Sequence, residues 1–385
     1  MAGKFEKKKE KKAGKGGKVV LIVLGMILAL IVALVIAGVI YYNTTLNKMN
    51  KVTVPKVNYT TPPTEYVEIT QPTQEATEEA TTEATTEATT EPTEPHVASR
   101  DDYINFLLVG QDAREGEQNH LADTMIVCTL NTYEKTLTLT SILRDTQLQV
   151  SGTYTDTKGG HHTYGRVKVN MIYASGYTYG YGTADAMGWM NQALYDNFGL
   201  EIDHNFELDF DAFTKAINVM GGIDIELNEA EYKYMDTEPK VLQEVTLGMN
   251  HLDGNSALHY ARMRHADGDQ GDITRTDRQR KVISAVLDKL KTMDLKSVQS
   301  LIDEVLPCVS TSMSNSEITA MIAKLLPMLS SLEIKQSGTC PQKGAYNGAL
   351  VDIFGNGMEH SVLQFTPGTV KKYMRALTLG EGTIE

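Results

Sequence analysis

Five of the ten arginines in the chain fall within residues 258–280. They stand in an acidic chain that elsewhere uses lysine more often. A guanidinium group binds phosphate or carboxylate oxygens through two parallel hydrogen bonds, which the ammonium group of lysine cannot do. The enrichment therefore indicates an anion site, with phosphate as the expected anion. The alternative is a solvated charged helix face, on which the four aspartates of the same stretch pair with the arginines. The five arginines are Arg262, Arg264, Arg275, Arg278 and Arg280.

The spacing of these residues separates those that can share a ligand from those that cannot. Arg262 and Arg264 are two apart, so in an extended segment both point to one side and can hold one diphosphate. Arg275 and Gln279 are four apart and share a helix face. Arg275 is also expected in the first turn of its helix, where free N–H groups favour anions. Arg280 would point elsewhere and is expected to be a surface or packing residue.

Two aspartates supply the other half of a phosphate site. Asp112 follows one predicted strand and Asp123 begins the next, with a loop of ten residues between them. Two carboxylates across such a loop suit Mg²⁺, a hard cation that proteins hold with one or two carboxylates, phosphate oxygens and water. Each aspartate alone can equally be a turn or cap residue. Lys168 can add a point charge, although a lysine on the surface at the end of a strand is the alternative.

The elements that carry these residues alternate between strand and helix patterns. Because apolar residues recur with the period of strands and then of helices, an α/β layered sheet is predicted, with the charged residues at strand ends where ligands usually bind. Residues 151–182, rich in Gly, Tyr and Thr, are expected to contain a long loop. The predicted strands are 103–109, 123–130, 136–142, 205–210, 223–227, 346–353 and 361–365, and the predicted helices are 183–198, 211–220, 252–260, 275–290, 296–306 and 315–330.

The first part of the chain has the pattern of a membrane anchor. Residues 1–18 contain eight lysines and two glutamates, and residues 19–40 are uninterrupted by charge and are followed by two tyrosines. Twenty-two helical residues span about 33 Å, enough to cross a bilayer. We predict a single transmembrane helix over 19–42. The lysines lie on its N-terminal side only, which places the N-terminus in the cytoplasm and the remainder outside the cell membrane.

Residues 43–99 have the composition of a linker. The tetrapeptide Glu-Ala-Thr-Thr occurs three times from Glu79, and prolines follow. Repeating glutamates repel on a helix and threonine and proline disfavour one, so a disordered, extended segment that gives the folded domain reach is predicted.

The acidic balance of the chain argues against nucleic acid as a partner. Cys308 and Cys340 could pair in an oxidising compartment, which their spacing leaves open.

Seven motifs in this order resemble the LytR–CpsA–Psr family of cell-wall polymer ligases, over about residues 100–292. They are Gly110-Gln111-Asp112-Ala113-Arg114; Ala122-Asp123-Thr124; Ser141-Ile142-Leu143-Arg144-Asp145; Lys168-Val169-Asn170; Gly221-Gly222-Ile223-Asp224; the run from Leu252-Asp253-Gly254 to Ala261-Arg262-Met263-Arg264; and Gly271-Asp272-Ile273-Thr274-Arg275-Thr276-Asp277-Arg278-Gln279. The single-pass topology with an external domain is also typical of the family.

The resemblance implies a three-layer α/β/α domain with a central mixed sheet, here over 100–385. It also implies transfer of a glycopolymer phosphate, of teichoic acid or capsule type, from a polyprenyl diphosphate carrier to a peptidoglycan hydroxyl. By position, Asp112 and Asp123 match the magnesium ligands. The diphosphate-binding set matches Arg144, Arg262, Arg264, Arg275 and Gln279, with Lys168 near the phosphates. A carboxylate near the attacking hydroxyl can take its proton, and Asp123 and Asp272 are both candidates.

Two positions depart from the family pattern. Leu121 stands where an arginine is usual, which removes one phosphate contact and puts turnover or substrate choice in question. Leu143 stands where a proline is usual, which affects only the rigidity of the turn. Two further functions therefore stay open: hydrolysis of a polyprenyl diphosphate with water as the acceptor, and a non-catalytic protein that binds lipid diphosphates.

Overall fold

The computed structural model describes residues 42–59, 99–111, 120–155, 158, 161–180, 182–264 and 271–380. The chain divides into two units, 1–48 and 49–385. In the first unit, residues 42–46 are helical. Almost all of the predicted membrane segment 19–42 lies outside the described residues, and within them no helix has the length and hydropathy to span a bilayer.

A seven-stranded mixed sheet forms the centre of the second unit. Its order is β1-β10-β7-β2-β3-β4-β11, and two-stranded sheets pair β5 with β6, β8 with β9 and β12 with β13. The strands are β1 Asn50–Lys51, β2 Tyr103–Gln111, β3 Ala122–Asn131, β4 Thr136–Ile142, β5 Gln147–Thr155, β6 His161–Lys168, β7 His204–Asp209, β8 Ile223–Leu227, β9 Gly248–Leu252, β10 Ser310–Thr311, β11 Glu333–Cys340, β12 Tyr346–Val351 and β13 His360–Phe365.

Helices cover both faces of the central sheet, as the alternation of side chains along β2 shows. Leu107 and Val109 are buried in a core that contains residues of the first, second and last helices. Leu108 and Gly110, on the opposite face, line a cavity under the third, fifth and sixth helices. The helices are α1 Val169–Tyr179, α2 Thr183–Phe198, α3 Phe210–Val219, α4 Glu229–Thr237, α5 Gly254–Arg262, α6 Gly271–Thr292, α7 Leu295–Val305, α8 Asn315–Leu325 and α9 Pro367–Leu379.

Strand directions bring four chain segments to one edge of the sheet. β2 runs antiparallel to β3 and parallel to β7, so Gln111 faces both Ala122 and Asp209. β4 runs antiparallel to β3, with Ser141 opposite Ile126. The ends of β2, β4 and β7 therefore meet the start of β3 at the same edge, as the sequence predicts for the charged segments at strand ends.

The prediction of a long loop within 151–182 was wrong. The strands β5 and β6 form a hairpin, and α1 follows directly. Tyr and Thr are good strand formers, although together with glycine they resemble a loop composition. Helix α1 buries Val169, Ile172, Tyr173 and Gly176, of which Gly176 leaves no room for a side chain against Ala186.

The prediction that the linker extends over 43–99 was wrong for its first part. Residues 49–59 belong to the folded unit, which therefore starts before residue 100. β1 pairs with β10, and the partly buried side chains of Val52 and Val54 pack against the core. These contacts could not be read from the sequence, because the partners lie more than 100 residues away along the chain. The Glu-Ala-Thr-Thr repeats lie outside the described residues.

The disulfide that the sequence left open does not form. Cys308 is exposed, Cys340 is fully buried, and both thiols are free. Burial raises the pKa of the Cys340 thiol well above its usual value, so this thiol is inert as a nucleophile.

A buried amide provides a test of the sheet packing. Asn105 on β2 accepts from the Thr129 hydroxyl (2.9 Å) and donates to the Thr378 carbonyl of α9 (3.0 Å). Asn105→Ala leaves both partners buried without this contact, so we expect the free energy of unfolding to fall by about 2–4 kcal/mol. Urea unfolding followed by fluorescence of the single, buried Trp189 measures this. Asn347→Ala, at an exposed strand position, is the matched control and should change it by less than about 0.5 kcal/mol.

Candidate functional site

A cavity of about 440 Å³ lies between the central sheet and helices α3, α5 and α6. Its lining changes along α6, from Arg275 and Gln279 to Ile283 and Leu287, a distance of about 18 Å along the helix. The polar part adjoins the sheet edge where β3 begins and β7 ends. The cavity is therefore apolar with one polar end. Its polar lining residues are Asp123, Thr124, Asp209, Arg262, Arg264, Arg275 and Gln279.

Three of the predicted arginines face this cavity, although not in the predicted local geometry. Arg262 is the last residue of α5, and Arg264 follows it after the buried Met263. Arg262 is therefore helical and not extended, although both arginines line the same cavity. The Arg262 guanidinium lies 4.6 Å from the centroid of the Phe210 ring, which orients it by a cation–π contact.

Arg275 contributes from the second turn of α6, not from the predicted first turn, because the helix begins at Gly271. Its side chain is 3 % exposed, and Nη2 donates to the main-chain oxygen of Asp123 at 3.3 Å. Gln279 lies one turn further along the same face and is also buried. The predicted grouping of Arg275 with Gln279 is confirmed by their common place in the cavity lining.

Arg144 and Lys168 form a charged row with two aspartates and do not line the cavity. Arg144 Nη1 lies 2.8 Å from Asp123 Oδ1, and its Nε lies 3.5 Å from Asp145 Oδ2. Lys168 Nζ lies 2.8 Å from Asp145 Oδ1. Arg144 thus contacts Asp123 directly, whereas Lys168 joins this row through Asp145. Of these four residues, only Asp123 also lines the cavity. Asp145, which the sequence did not single out, holds both cations together.

Arg278 and Arg280 are buried and lie outside the cavity lining. Arg280 Nη1 donates to the Ser141 hydroxyl at 2.7 Å, and Nη2 pairs with Asp277. Burial lowers the pKa of the Arg280 guanidinium. The prediction that Arg280 is a surface or packing residue is confirmed as packing. Arg278 contacts Glu231 and the carbonyl oxygen of Met263.

The predicted magnesium site can be assessed only at Asp123. Asp112 lies outside the described residues, as does the side chain of Asp272. Within the described part of the chain, no three His, Cys, Asp or Glu residues are grouped as a metal site. Asp123 uses Oδ1 for Arg144, and a carboxylate has a second oxygen. Its place at the polar end fits a hard cation that takes one or two carboxylates and completes its shell with phosphate oxygens and water.

The sequence did not identify several residues of the site. Asp209 lines the cavity and caps α3, where its Oδ1 accepts from Ala212 N at 2.7 Å. An aspartate between a strand and a helix is a recognisable cap signal. Glu207, two residues earlier on β7, is buried outside the cavity lining and accepts from the Tyr173 hydroxyl. Burial raises the pKa of Glu207, and no local pattern indicates its partner.

The two departures from the family pattern differ in their structural consequences. Leu143 is fully buried, and its N–H donates to the Cys340 carbonyl at 2.9 Å, which a proline could not do. This position therefore gains a hydrogen bond between β4 and β11. Leu121 is half-buried just before β3 and does not line the cavity.

The fold and the site together define a class: an α/β protein with a mixed sheet and an apolar cavity that ends in arginines. The sequence profile of the LytR_cpsA_psr family matches residues 64–356, about three quarters of the chain. The chain belongs to this family, as the motifs predict. The match starts at residue 64, inside the predicted linker.

Curated relatives carry names related to the cell wall and to biofilms. Over the aligned part, the chain is 29 % identical to the teichoic acid transferase TagV of Bacillus subtilis, covering 57 % of this chain and 51 % of TagV. It is 30 % identical to Biofilm regulatory protein A of Streptococcus mutans, covering 63 % and 59 %. It is 32 % identical to TagU of Halalkalibacterium halodurans, covering 49 % and 54 %. The chain spans about half of the length of these relatives.

Solved structures share the fold. The Streptococcus agalactiae protein gbs0355 superimposes with a TM-score of 0.57 at 25 % identity, covering 74 % of this chain and 90 % of that protein. B. subtilis TagT gives a TM-score of 0.52 at 21 % identity, covering 75 % and 95 %. TagT with bound octaprenyl pyrophosphate gives 0.50 at 20 %, covering 74 % and 97 %.

The cavity arginines predict a preference for anions with an apolar tail. For farnesyl diphosphate, a soluble ligand of this kind, we expect Arg262→Lys to raise Kd about 10-fold or more, because lysine loses the bidentate contact and the fixed orientation over Phe210. Isothermal titration measures Kd. Arg166→Lys, at an exposed arginine whose Nε bonds Gln149 at 2.9 Å, is the control. Equal Kd values for the two variants would contradict this assignment of the site.

Proposed function

We propose that this protein is a membrane-anchored phosphotransferase outside the cell. It transfers a glycopolymer phosphate of teichoic acid or capsule type from a polyprenyl diphosphate carrier to a hydroxyl of peptidoglycan. The observation that carries the proposal is the cavity, in which a long apolar lining ends in Arg262, Arg264 and Arg275. A polyprenyl diphosphate has the complementary arrangement, because its apolar chain ends in two negatively charged phosphates.

The relatives support the same activity. TagV and TagU are named polyisoprenyl-teichoic acid–peptidoglycan teichoic acid transferases, and one TagT structure contains octaprenyl pyrophosphate. The family shared with these proteins makes a lipid-linked polymer the expected donor. The predicted transmembrane helix over 19–42 would hold the domain at the membrane that contains such a donor.

The reaction needs charge neutralisation and positioning more than covalent help from the protein. The acceptor oxygen forms a bond to the phosphorus next to the sugar, and the bond from that phosphorus to the bridging oxygen breaks. The lipid leaves as its monophosphate, and the acceptor proton passes to a carboxylate. In this proposal Arg262, Arg264 and Arg275, which line the polar end of the cavity, bind the diphosphate oxygens. Arg144 and Lys168 lie outside the lining, in the charged row with Asp123 and Asp145.

Asp123 is central to this scheme because it joins the cavity to the charged row. We propose Mg²⁺ as the cofactor, held by Asp123 with Asp112, where it would supply further neutralisation of the diphosphate charge. The ion pair between Arg144 Nη1 and Asp123 Oδ1, at 2.8 Å, orients this carboxylate. If Asp123 holds the metal, Asp272 is the other candidate for the base.

One assay separates transfer from the alternatives. The full-length protein in detergent is incubated with Mg²⁺, a lipid-linked glycopolymer and peptidoglycan fragments. We expect polymer joined to peptidoglycan, and a loss of at least about 100-fold in initial rate for Asp123→Asn and Arg262→Ala, because each removes a charged contact in the transition state. Arg166→Lys should retain the full rate.

Other products would identify the other functions. Released polymer phosphate without transfer indicates a hydrolase, and tight donor binding without turnover indicates a lipid-diphosphate binding protein. Binding without turnover would agree with the presence of Leu121, since an arginine that the family usually has near the phosphates is missing at this position. Transfer that is unaffected by Arg262→Ala or Asp112→Ala would sink the proposed mechanism.

A further inference from the structure

The cavity receives its cations from two separate chain segments. Arg262 and Arg264 lie at and after the end of α5, whereas Arg275 and Gln279 lie on α6. The residues that connect the two segments, 265–270, lie outside the described ranges. A diphosphate is only a few ångströms across, so binding by both segments requires that their relative position is fixed within a fraction of an ångström. A contact between them is therefore functionally important.

Arg278 makes this contact. From α6, its Nη1 donates to the carbonyl oxygen of Met263, the residue between Arg262 and Arg264, at 3.1 Å. Its Nε lies 2.9 Å from Oε1 of Glu231 on α4. The Arg278 side chain is 1 % exposed, so no water competes for these donors.

Glu231 is itself held in one orientation. Its Oε1 also accepts from the Tyr260 hydroxyl of α5 at 3.2 Å. Its Oε2 accepts from the main-chain N–H of Asn228 at 3.1 Å, in the capping box that begins α4. A carboxylate in the first turn of a helix is stabilised there. The cluster of Glu231, Tyr260 and Arg278 thus links α4, α5 and α6.

We propose that Arg278 is a positioning residue for the anion site. Its rigid guanidinium fixes the Met263 carbonyl, and thereby the directions of the two flanking arginines, relative to Arg275 and Gln279. The inference rests on the proposed function, in that the anion is taken to be a diphosphate. It goes further by assigning a task to an arginine that does not touch the ligand.

A role in stability alone predicts a different result. Replacing a buried ion pair by apolar residues of similar volume is often neutral or stabilising, whereas removing one partner is costly. Glu231→Leu combined with Arg278→Met should therefore keep the fold, yet it removes the donor to the Met263 carbonyl. Stability and positioning can be separated in this double variant.

The test compares two double variants, each of which replaces an ion pair that a glutamate of α4 makes. For Glu231→Leu/Arg278→Met we expect a folded protein with a lowered thermal unfolding temperature, because the Tyr260 hydroxyl and the Asn228 N–H lose their acceptor. We expect Kd for farnesyl diphosphate to rise about 10-fold. We also expect faster hydrogen–deuterium exchange in the peptide that contains Met263. The control is Glu229→Leu/Lys233→Met, which removes an exposed ion pair of α4 at 2.6 Å and should change none of the three.

The possible outcomes distinguish the inference from the function it rests on. Unchanged exchange at Met263 in a folded variant overturns the inference, whatever the ligand data show. Failure of the wild type to bind farnesyl diphosphate counts against the proposed function alone. If the double variant does not fold, Arg278→Lys replaces it: the charge beside Glu231 remains, one of the two bonds is lost, and we expect a Kd increase of about 3-fold with faster exchange at Met263.

A second, independent observation concerns the ends of residues 60–98. On the N-terminal side, the Tyr59 hydroxyl donates to the Ile202 carbonyl at 2.9 Å and accepts from Ile202 N at 3.0 Å. On the C-terminal side, Arg100 binds Glu201 at 3.1 Å and Asp203 at 2.5 Å. Both ends are therefore held at the same turn, residues 201–203.

Residues 49–59 are packed on the domain before they reach this turn. Pro55 lies against Gly188 of α2, where an added Cβ would come within 2.7 Å of the proline ring. The Tyr195 hydroxyl donates to the Tyr59 carbonyl, and the two tyrosine rings lie 4.9 Å apart. Together with the β1–β10 pairing, these contacts hold the segment along its length.

We infer that residues 60–98 are not the tether between the predicted membrane helix and the domain. They leave and rejoin the domain at one turn, so the covalent connection from residue 42 to β1 is residues 43–49. The Thr- and Glu-rich repeats would then lie in a segment that starts and ends at the domain, and they would not set the length of the connection to the predicted helix.

Cleavage within the repeats tests this inference. A site for a specific protease replaces residues 80–86 in the full-length protein, which is then cut in detergent. We expect the two fragments to elute together in size exclusion, with the mass of one chain, and to separate in guanidinium. Tyr59→Ala with Val54→Asp should make them separate without denaturant, whereas Lys56→Ala, at an exposed position, should not. Separation of the wild-type fragments under native conditions overturns the inference.

Discussion

The burial of arginine charge is the constraint on which the rest of this structure depends. A guanidinium taken out of water needs acceptors at fixed positions, since it cannot lose its proton as a buried lysine can. Arg278 receives Glu231 and a main-chain carbonyl, and Arg280 receives Ser141 and Asp277. Three of these acceptors come from α4, from β4 and from the chain before α6, and the fourth, Asp277, lies on α6 itself. Satisfying the arginines therefore fixes how the helices sit on the sheet.

The same constraint explains why α6 can serve two purposes. Residues on one side of the helix point into the cavity, from Arg275 through Gln279 to Leu287, while Arg278 and Arg280 point into protein. The helix thus carries cavity-lining residues and structural contacts within six residues. Among the cavity arginines, Arg275 donates from Nη2 to the main-chain oxygen of Asp123 at 3.3 Å, which ties α6 to the start of β3.

The sequence predicted the regular elements well where the hydrophobic period was clear. The bounds of β4, α2 and β8 agree with the predictions residue for residue. The prediction failed at the β5–β6 hairpin because its composition resembles that of a loop, and at residues 49–59 because their partners lie far away along the chain. The predictions for the site also succeeded in part and failed in part. Asp123, Arg262, Arg264, Arg275 and Gln279 share one cavity as expected, but the helical end at Arg262 and the role of Asp145 depend on tertiary contacts.

The charge balance around Asp123 bears on the unusual Leu121. In the charged row, Arg144 and Lys168 are matched by Asp123 and Asp145, so this row is close to neutral as it stands. Positive charge is concentrated instead in the cavity lining, where Arg262, Arg264 and Arg275 face Asp123 and Asp209. If the proposed diphosphate and Mg²⁺ bind at this site, the absence of an arginine at position 121 would make neutralisation of the second phosphate depend more strongly on the cation at Asp123. The loss of one fixed charge would then make anion binding more dependent on the metal, and it would leave the apolar part of the cavity unaffected.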